Sequence, residues 1–183
     1  MIEDFGQEIV DVSGGQVFVA HDEEPPLVGD YIWLRQMAIF PPLISREPAR
    51  AVTPGGSSLF VAMQLAAFMG IRKLYLYGAD FHFNFERNLR ARDTYRAVSG
   101  DGNHFIKNYR SGKAWCPPSF RNIATGFLAA RIMMESEGGF IRNATRGGAM
   151  EIFPREDFES ALATSSAPES QPLSESQPLQ EAS

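Results

Sequence analysis

Residues 54–80 constrain this chain more than any other stretch, because they spell out a turn, a buried helix and a strand in succession. Thr53-Pro54-Gly55-Gly56 is a turn sequence, and Ser57 or Ser58 suits the N-cap that follows it. Residues 59–69 are apolar except for Gln64, and their length and Ala, Met and Leu content favour a helix over a strand. A helix apolar on nearly every side packs into a core, as against a sheet. Gly70 supplies the stop. Lys73-Leu-Tyr-Leu-Tyr77 then has strand character and ends in Gly78-Ala79-Asp80-Phe81-His82. Helix, short loop and strand make half of a βαβ unit, and parallel sheets bind ligands at the carboxyl ends of their strands. Asp80 and His82 fall at that edge, and an extended chain would put both on one strand face.

The flanking sequence fits the same α/β class. Gln16-Val-Phe-Val-Ala20 reads as a strand running into an acidic, proline-bearing loop. Residues 30–40 are apolar without a decisive period, leaving strand and helix both open until Pro41-Pro42 ends the run. Residues 83–115 are polar, basic and rich in Gly and Asn, the composition of a long loop that is a lid, a binding loop or disordered. Residues 120–137 repeat Ile123, Phe127, Ala130 and Met134 at helical spacing, and Gly138-Gly139 stops them. Phe140-Ile-Arg-Asn143 suits a strand, residues 143–148 a turn, Glu151-Ile-Phe153 a brief strand, and residues 157–163 a closing helical turn. The expected organisation is an N-terminal segment over 1–14, one domain over 15–163, and a disordered Ser/Pro/Gln/Glu tail over 164–183.

Composition narrows the function classes. The single cysteine, Cys116, excludes an internal disulfide and a Cys-cluster zinc site, which fits a reducing cytoplasm. No stretch approaches the roughly 18 consecutive apolar residues of a membrane span. The acidic start, Met1-Ile2-Glu3-Asp4, is unlike a secretory leader. The net charge of −5 conceals an asymmetry: residues 1–24 hold seven acidic and no Lys or Arg residues, whereas residues 86–121 hold eight basic against three acidic. That local excess favours a phosphate-bearing anion, while the acidic whole and the lack of a reading module argue against duplex nucleic acid. A solvated surface balanced elsewhere is the plainer explanation of the same charges.

Gly55, Gly56, Ser57 and Ser58 before a helix can hold an anion through free N–H groups and the helix dipole, although a plain cap explains them equally. Neither a Walker lysine nor a full G-x-G-x-x-G accompanies them. Asp80 could order a ribose, a metal or an amine, or simply cap a turn. His104 lies in the basic loop, where its imidazole could take a proton from an attacking hydroxyl. Asn143 and Thr145 form a polar turn that could touch a ligand or close a hairpin. The three histidines have no metal-ligand spacing, and no metal site is expected from them.

Taken together, residues 55–82, then Asn103-His-Phe, Gly112-Lys-Ala-Trp, Asn143-Ala-Thr-Arg-Gly-Gly and Glu151-Ile-Phe-Pro-Arg155, resemble the 6-hydroxymethylpterin diphosphokinase MptE-like domain family, which is shared with motility accessory factors. The pattern is also similar to bacterial sialyltransferases that use CMP-sialic acid. The resemblance implies a Rossmann-like parallel sheet with flanking helices. It implies a CMP-sugar glycosyltransferase of surface glycans or flagellin, or alternatively pyrophosphoryl transfer from Mg-ATP to a pterin alcohol, or a degenerate nucleotide-binding domain. Under the first implication Gly55, Gly56, Ser57 and Ser58 contact the nucleotide, Asp80 orders the site and His104 is the base. Lys107, Arg110, Asn143 and Thr145 would meet phosphate or substrate. His82 stands where the sialyltransferases carry a tyrosine that assists phosphate departure. The family's opening strand and Gly-Asn-Gly-Pro-Ser turn have no counterpart here, so a partial domain, completed by a partner chain or by self-association, is expected.

Overall fold

The computed structural model describes residues 2–83, 95–96, 114–115 and 117–166. The chain is a mixed α/β fold with short parallel strand pairs and flanking helices. Strands β1 (Val17–His21) and β2 (Tyr31–Arg35) pair in parallel, with Phe18 opposite Ile32 and Ala20 opposite Leu34. Within residues 30–40 the strand is therefore Tyr31–Arg35, and residues 37–40 are irregular. A parallel bridge from Gln36 to Val52 adds a third segment to this pair, with the Val52 N–H on the Arg35 carbonyl at 2.8 Å. Helix α2 (Ser58–Phe68) follows, and then β3 (Lys73–Leu76), matching the expected turn, helix and strand within a residue or two.

The segments Tyr95–Arg96 (β4) and Ala114–Trp115 (β5) pair antiparallel within the stretch expected as loop. Helix α3 (Phe120–Ser136) leads to β6 (Phe140–Asn143), which pairs in parallel with β3. The Asn143–Arg155 contact is also a parallel bridge. The turn over 143–148 is therefore no hairpin. Glu151-Ile-Phe153 is not a strand, because the pairing residue is Arg155. The closing turn is a longer helix, α4 (Phe158–Ser166).

At the front, within the segment expected as N-terminal to the domain, residues 2–12 form helix α1 (Ile2–Val12). Gln7 fastens it: the amide donates to the Val28 carbonyl at 2.7 Å and accepts from the Val28 N–H at 2.9 Å. Gly29 lies so close that a Cβ there would stand 2.7 Å from Val10 Cγ1.

Helix α2 explains how the two parallel strand pairs share one body. Phe60 and Met63 belong to the larger core, with Leu76, Phe127, Met134, Ile141 and Phe153. Val61 joins Leu34 and Val52 in a second, smaller cluster. An amphipathic stripe could serve only one of these, which is why the helix is apolar all round. Phe60 also fits against Gly126 of α3, where a Cβ would come within 3.3 Å of its ring. Phe127 is 2% exposed and packs on Phe153 with ring centroids 5.6 Å apart, so Phe127→Ala should cost about 3–5 kcal/mol in urea unfolding.

The start of α4 is acid-sensitive. The Ser160 N–H on the Asp157 carboxylate at 3.1 Å lowers its pKa below the ordinary 3.8. A depressed carboxylate supports the fold above its unfolded pKa, and that support is lost as pH falls through the folded value. Asp157→Asn should therefore flatten the acid limb of a helicity titration below about pH 4. An unchanged acid limb would remove Asp157 from the account.

Candidate functional site at the strand ends

The turn after the Val52 segment is built by two glycines in left-handed conformation, Gly55 at φ +54° and Gly56 at φ +79°. Ser57 then takes an extended conformation and caps α2, its hydroxyl accepting from the Leu59 N–H at 3.2 Å. Ser58, the first helical residue, is exposed. Gly56 faces a second helix start: a Cβ on it would stand 3.1 Å from Ile123 and 3.5 Å from Asn122. Those two residues lie in the first turn of α3, whose own cap is Ser119. The N-termini of α2 and α3 thus meet at Gly56, and each favours negative charge nearby. Gly56, Ser57 and Ser58 also line a cavity of about 900 Å³ that extends beneath α1.

The chain beyond β3 also reaches the first turn of α3, through Phe81. Phe81 takes φ +52°, uncommon for a residue with a side chain, and its ring sits 5.2 Å from Phe120 and 6.4 Å from Phe127. Packing that half-buried ring against the core holds the backbone kink between Asp80 and His82, both of which are exposed. The kink corrects the expectation of a shared strand face: β3 ends at Leu76, and the chain is not extended through Phe81.

Asp80 is fixed through its backbone. Its carbonyl accepts from the Ala149 N–H at 2.7 Å, and Gly148 packs so tightly that a Cβ there would lie 2.9 Å from the Asp80 Cα. Asn143 and Thr145 are buried and give their polar atoms to the backbone. The Asn143 amide donates to the Met150 carbonyl at 2.8 Å and accepts from the Thr145 N–H at 3.0 Å. The Thr145 hydroxyl accepts from the Ala79 N–H at 2.9 Å. Both therefore hold the edge that presents Asp80.

Arg155 was not singled out by sequence reasoning as a site residue, and it organises the same turn. Its guanidinium donates to the carbonyls of Thr145, Gly147 and Gly148 at 3.2, 2.8 and 3.1 Å. Three carbonyls converging on one fork-shaped cation demand arginine geometry. Arg155→Met should cost about 1–3 kcal/mol and broaden the NMR resonances of Asp80 and Ala149. A spectrum unchanged at those positions would show that the turn holds itself.

His104, Lys107 and Arg110 lie outside the described residues, as does most of the basic stretch. Arg121, at the start of α3, stacks 5.3 Å from the Phe40 ring centroid. His21 is engaged locally, with Nδ1 3.0 Å from the Glu23 carbonyl oxygen. Among the described residues no group of three His, Cys, Asp or Glu is placed to hold a metal, and no helix is long and apolar enough to cross a membrane. Comparison with family models, curated proteins and solved structures finds no match to this chain.

Proposed function

We propose that this chain binds an anionic nucleotide or nucleotide-sugar, of the CMP-sugar kind, at the turn of Gly55, Gly56, Ser57 and Ser58, and that it belongs to glycosyltransferase-like chemistry in the cytoplasm. The observation that carries the reading is the meeting of two helix N-termini at Gly56. Two partial positive ends at one place favour a phosphate group more than either does alone. The completed sheet in this proposal is Rossmann-like.

In the transfer itself, an acceptor hydroxyl attacks the anomeric carbon as the bond from that carbon to the CMP phosphate oxygen breaks. His104 takes the hydroxyl proton, and the negative charge leaves with CMP. Lys107 and Arg110 offset that charge, His82 donates a proton toward the departing phosphate, and Asp80 orders the sugar or ribose. A binding-only variant of the reading, a nucleotide-binding domain without catalysis, draws support from Asn143 and Thr145, whose polar atoms serve the backbone.

Thermal-shift titration of the full chain with CMP, CMP-sugars and Mg-ATP tests the reading, since a ligand that binds only the folded state raises Tm. The expected result is a saturable rise with CMP or a CMP-sugar. A rise with Mg-ATP alone would transfer the site to pyrophosphoryl transfer, and no rise with any of them would overturn both. A His104→Ala protein with full transferase activity would remove the proposed base.

A further inference from the structure

The cavity beneath α1 is a second object, reaching beyond the phosphate-sized turn at one of its ends. Its walls come from α1, from the β1–β2 pair, from the turn before α2 and from α2 as far as Leu65. Ile9, Phe18 and Leu65 line it, and Ile9 and Phe18 are 48% and 40% exposed although they lie on packed elements. Small side chains stand at the walls, Ala20 on β1 and Ala62 on α2. A larger side chain at Ala62 would fill part of the space.

The polar side chains of the lining include Ser57 and Ser58 at the start of α2, with Gln36 after β2 and His21 at the end of β1; the Gln36 amide donates to the Ala20 carbonyl at 2.9 Å. At about 900 Å³ the space lies within the range of small-molecule sites, far above a water-sized void. Water gains little from walls this apolar, so an occupant with a matching apolar body is favoured by the area it removes from water.

We infer that this cavity is a binding site for a small amphiphile: a flat or short apolar body lying between Ile9, Phe18 and Leu65, and one hydrogen-bond-accepting head at Ser58. The inference is independent of the nucleotide reading, although the two share Ser57 and Ser58 as a boundary. A larger nucleotide-sugar or lipid-linked acceptor would use both.

Fluorescence titration of the full chain with 8-anilinonaphthalene-1-sulfonate, an aromatic body with one anionic head, tests it. The expected result is saturable binding at one site per chain. Ala62→Phe, from the α2 wall, and Val17→Trp, from the β1 wall, should each weaken it about tenfold or more with unchanged circular dichroism. Two variants on different elements keep the test decisive if one fails to fold. Unweakened binding in both, or several equivalent sites per chain, would overturn the inference. Probe binding with no response to CMP, a CMP-sugar or Mg-ATP would uphold this site and sink the nucleotide reading, while a CMP or CMP-sugar response without probe binding would do the reverse.

Discussion

Gln64→Leu is expected to lower unfolding free energy by about 3–5 kcal/mol. Gln64 has no exposed surface. Its carbonyl oxygen accepts from the N–H groups of Ser45 at 3.1 Å and Thr53 at 3.2 Å, and its amide donates to the Thr53 carbonyl at 2.8 Å. Leucine keeps the volume and removes the partner of three backbone groups at once. Each buried group left unpaired costs about 1–3 kcal/mol, while the extra apolar area returns about 1 kcal/mol or less, so the loss decides the sign. The Thr53 hydroxyl also reaches the Leu43 carbonyl, so the loop before the site turn loosens with it. Urea unfolding measures the effect, and a loss under about 1 kcal/mol would mean that water replaces the amide.

Gly55→Ala is expected to cost about 2–4 kcal/mol and to abolish any ligand response at the turn. Two penalties add. Alanine at φ +54° is strained by roughly 1 kcal/mol. Its Cβ would also overlap the Phe60 ring, which is wedged between Gly55 and Gly126 in the larger core and has no free direction to move. The turn must therefore open, and Gly56 would leave the first turn of α3. A Gly55→Ala protein with unchanged Tm would show that Phe60 gives way after all.

Much of this fold was legible because its signals were local. The Pro54-Gly55-Gly56 turn, the Ser57 cap, the apolar run of α2 and the Gly70 stop are read from neighbouring residues alone. Gln64 looked like a lone polar residue on a buried helix, and only tertiary structure shows the three backbone groups waiting for it. Helix α1 carried an overlooked periodic signal, with Ile2, Phe5, Ile9 and Val10 at helical spacing beneath a conspicuous acidic charge. Phe81 could not be foreseen, because no propensity favours a positive φ at phenylalanine; the core supplies the reason. Asn143 and Thr145 had the right chemistry for a ligand and turned out to have backbone partners, since burial is not visible in residue type. Arg155 gave no signal beyond its place in a short motif, because carbonyls from Thr145, Gly147 and Gly148 converge on it only after folding.

The central claim, that an anion is held where α2 and α3 begin, is tested most directly by calorimetric titration of CMP into the natural chain and into Ser58→Glu. A glutamate in the first turn of a helix favours the helix, so the fold should be retained or slightly stabilised. The same charge repels a phosphate at the turn. The account predicts binding to the natural chain and at least about tenfold weaker binding to Ser58→Glu at unchanged or higher Tm. Equal affinity in the two proteins would contradict it.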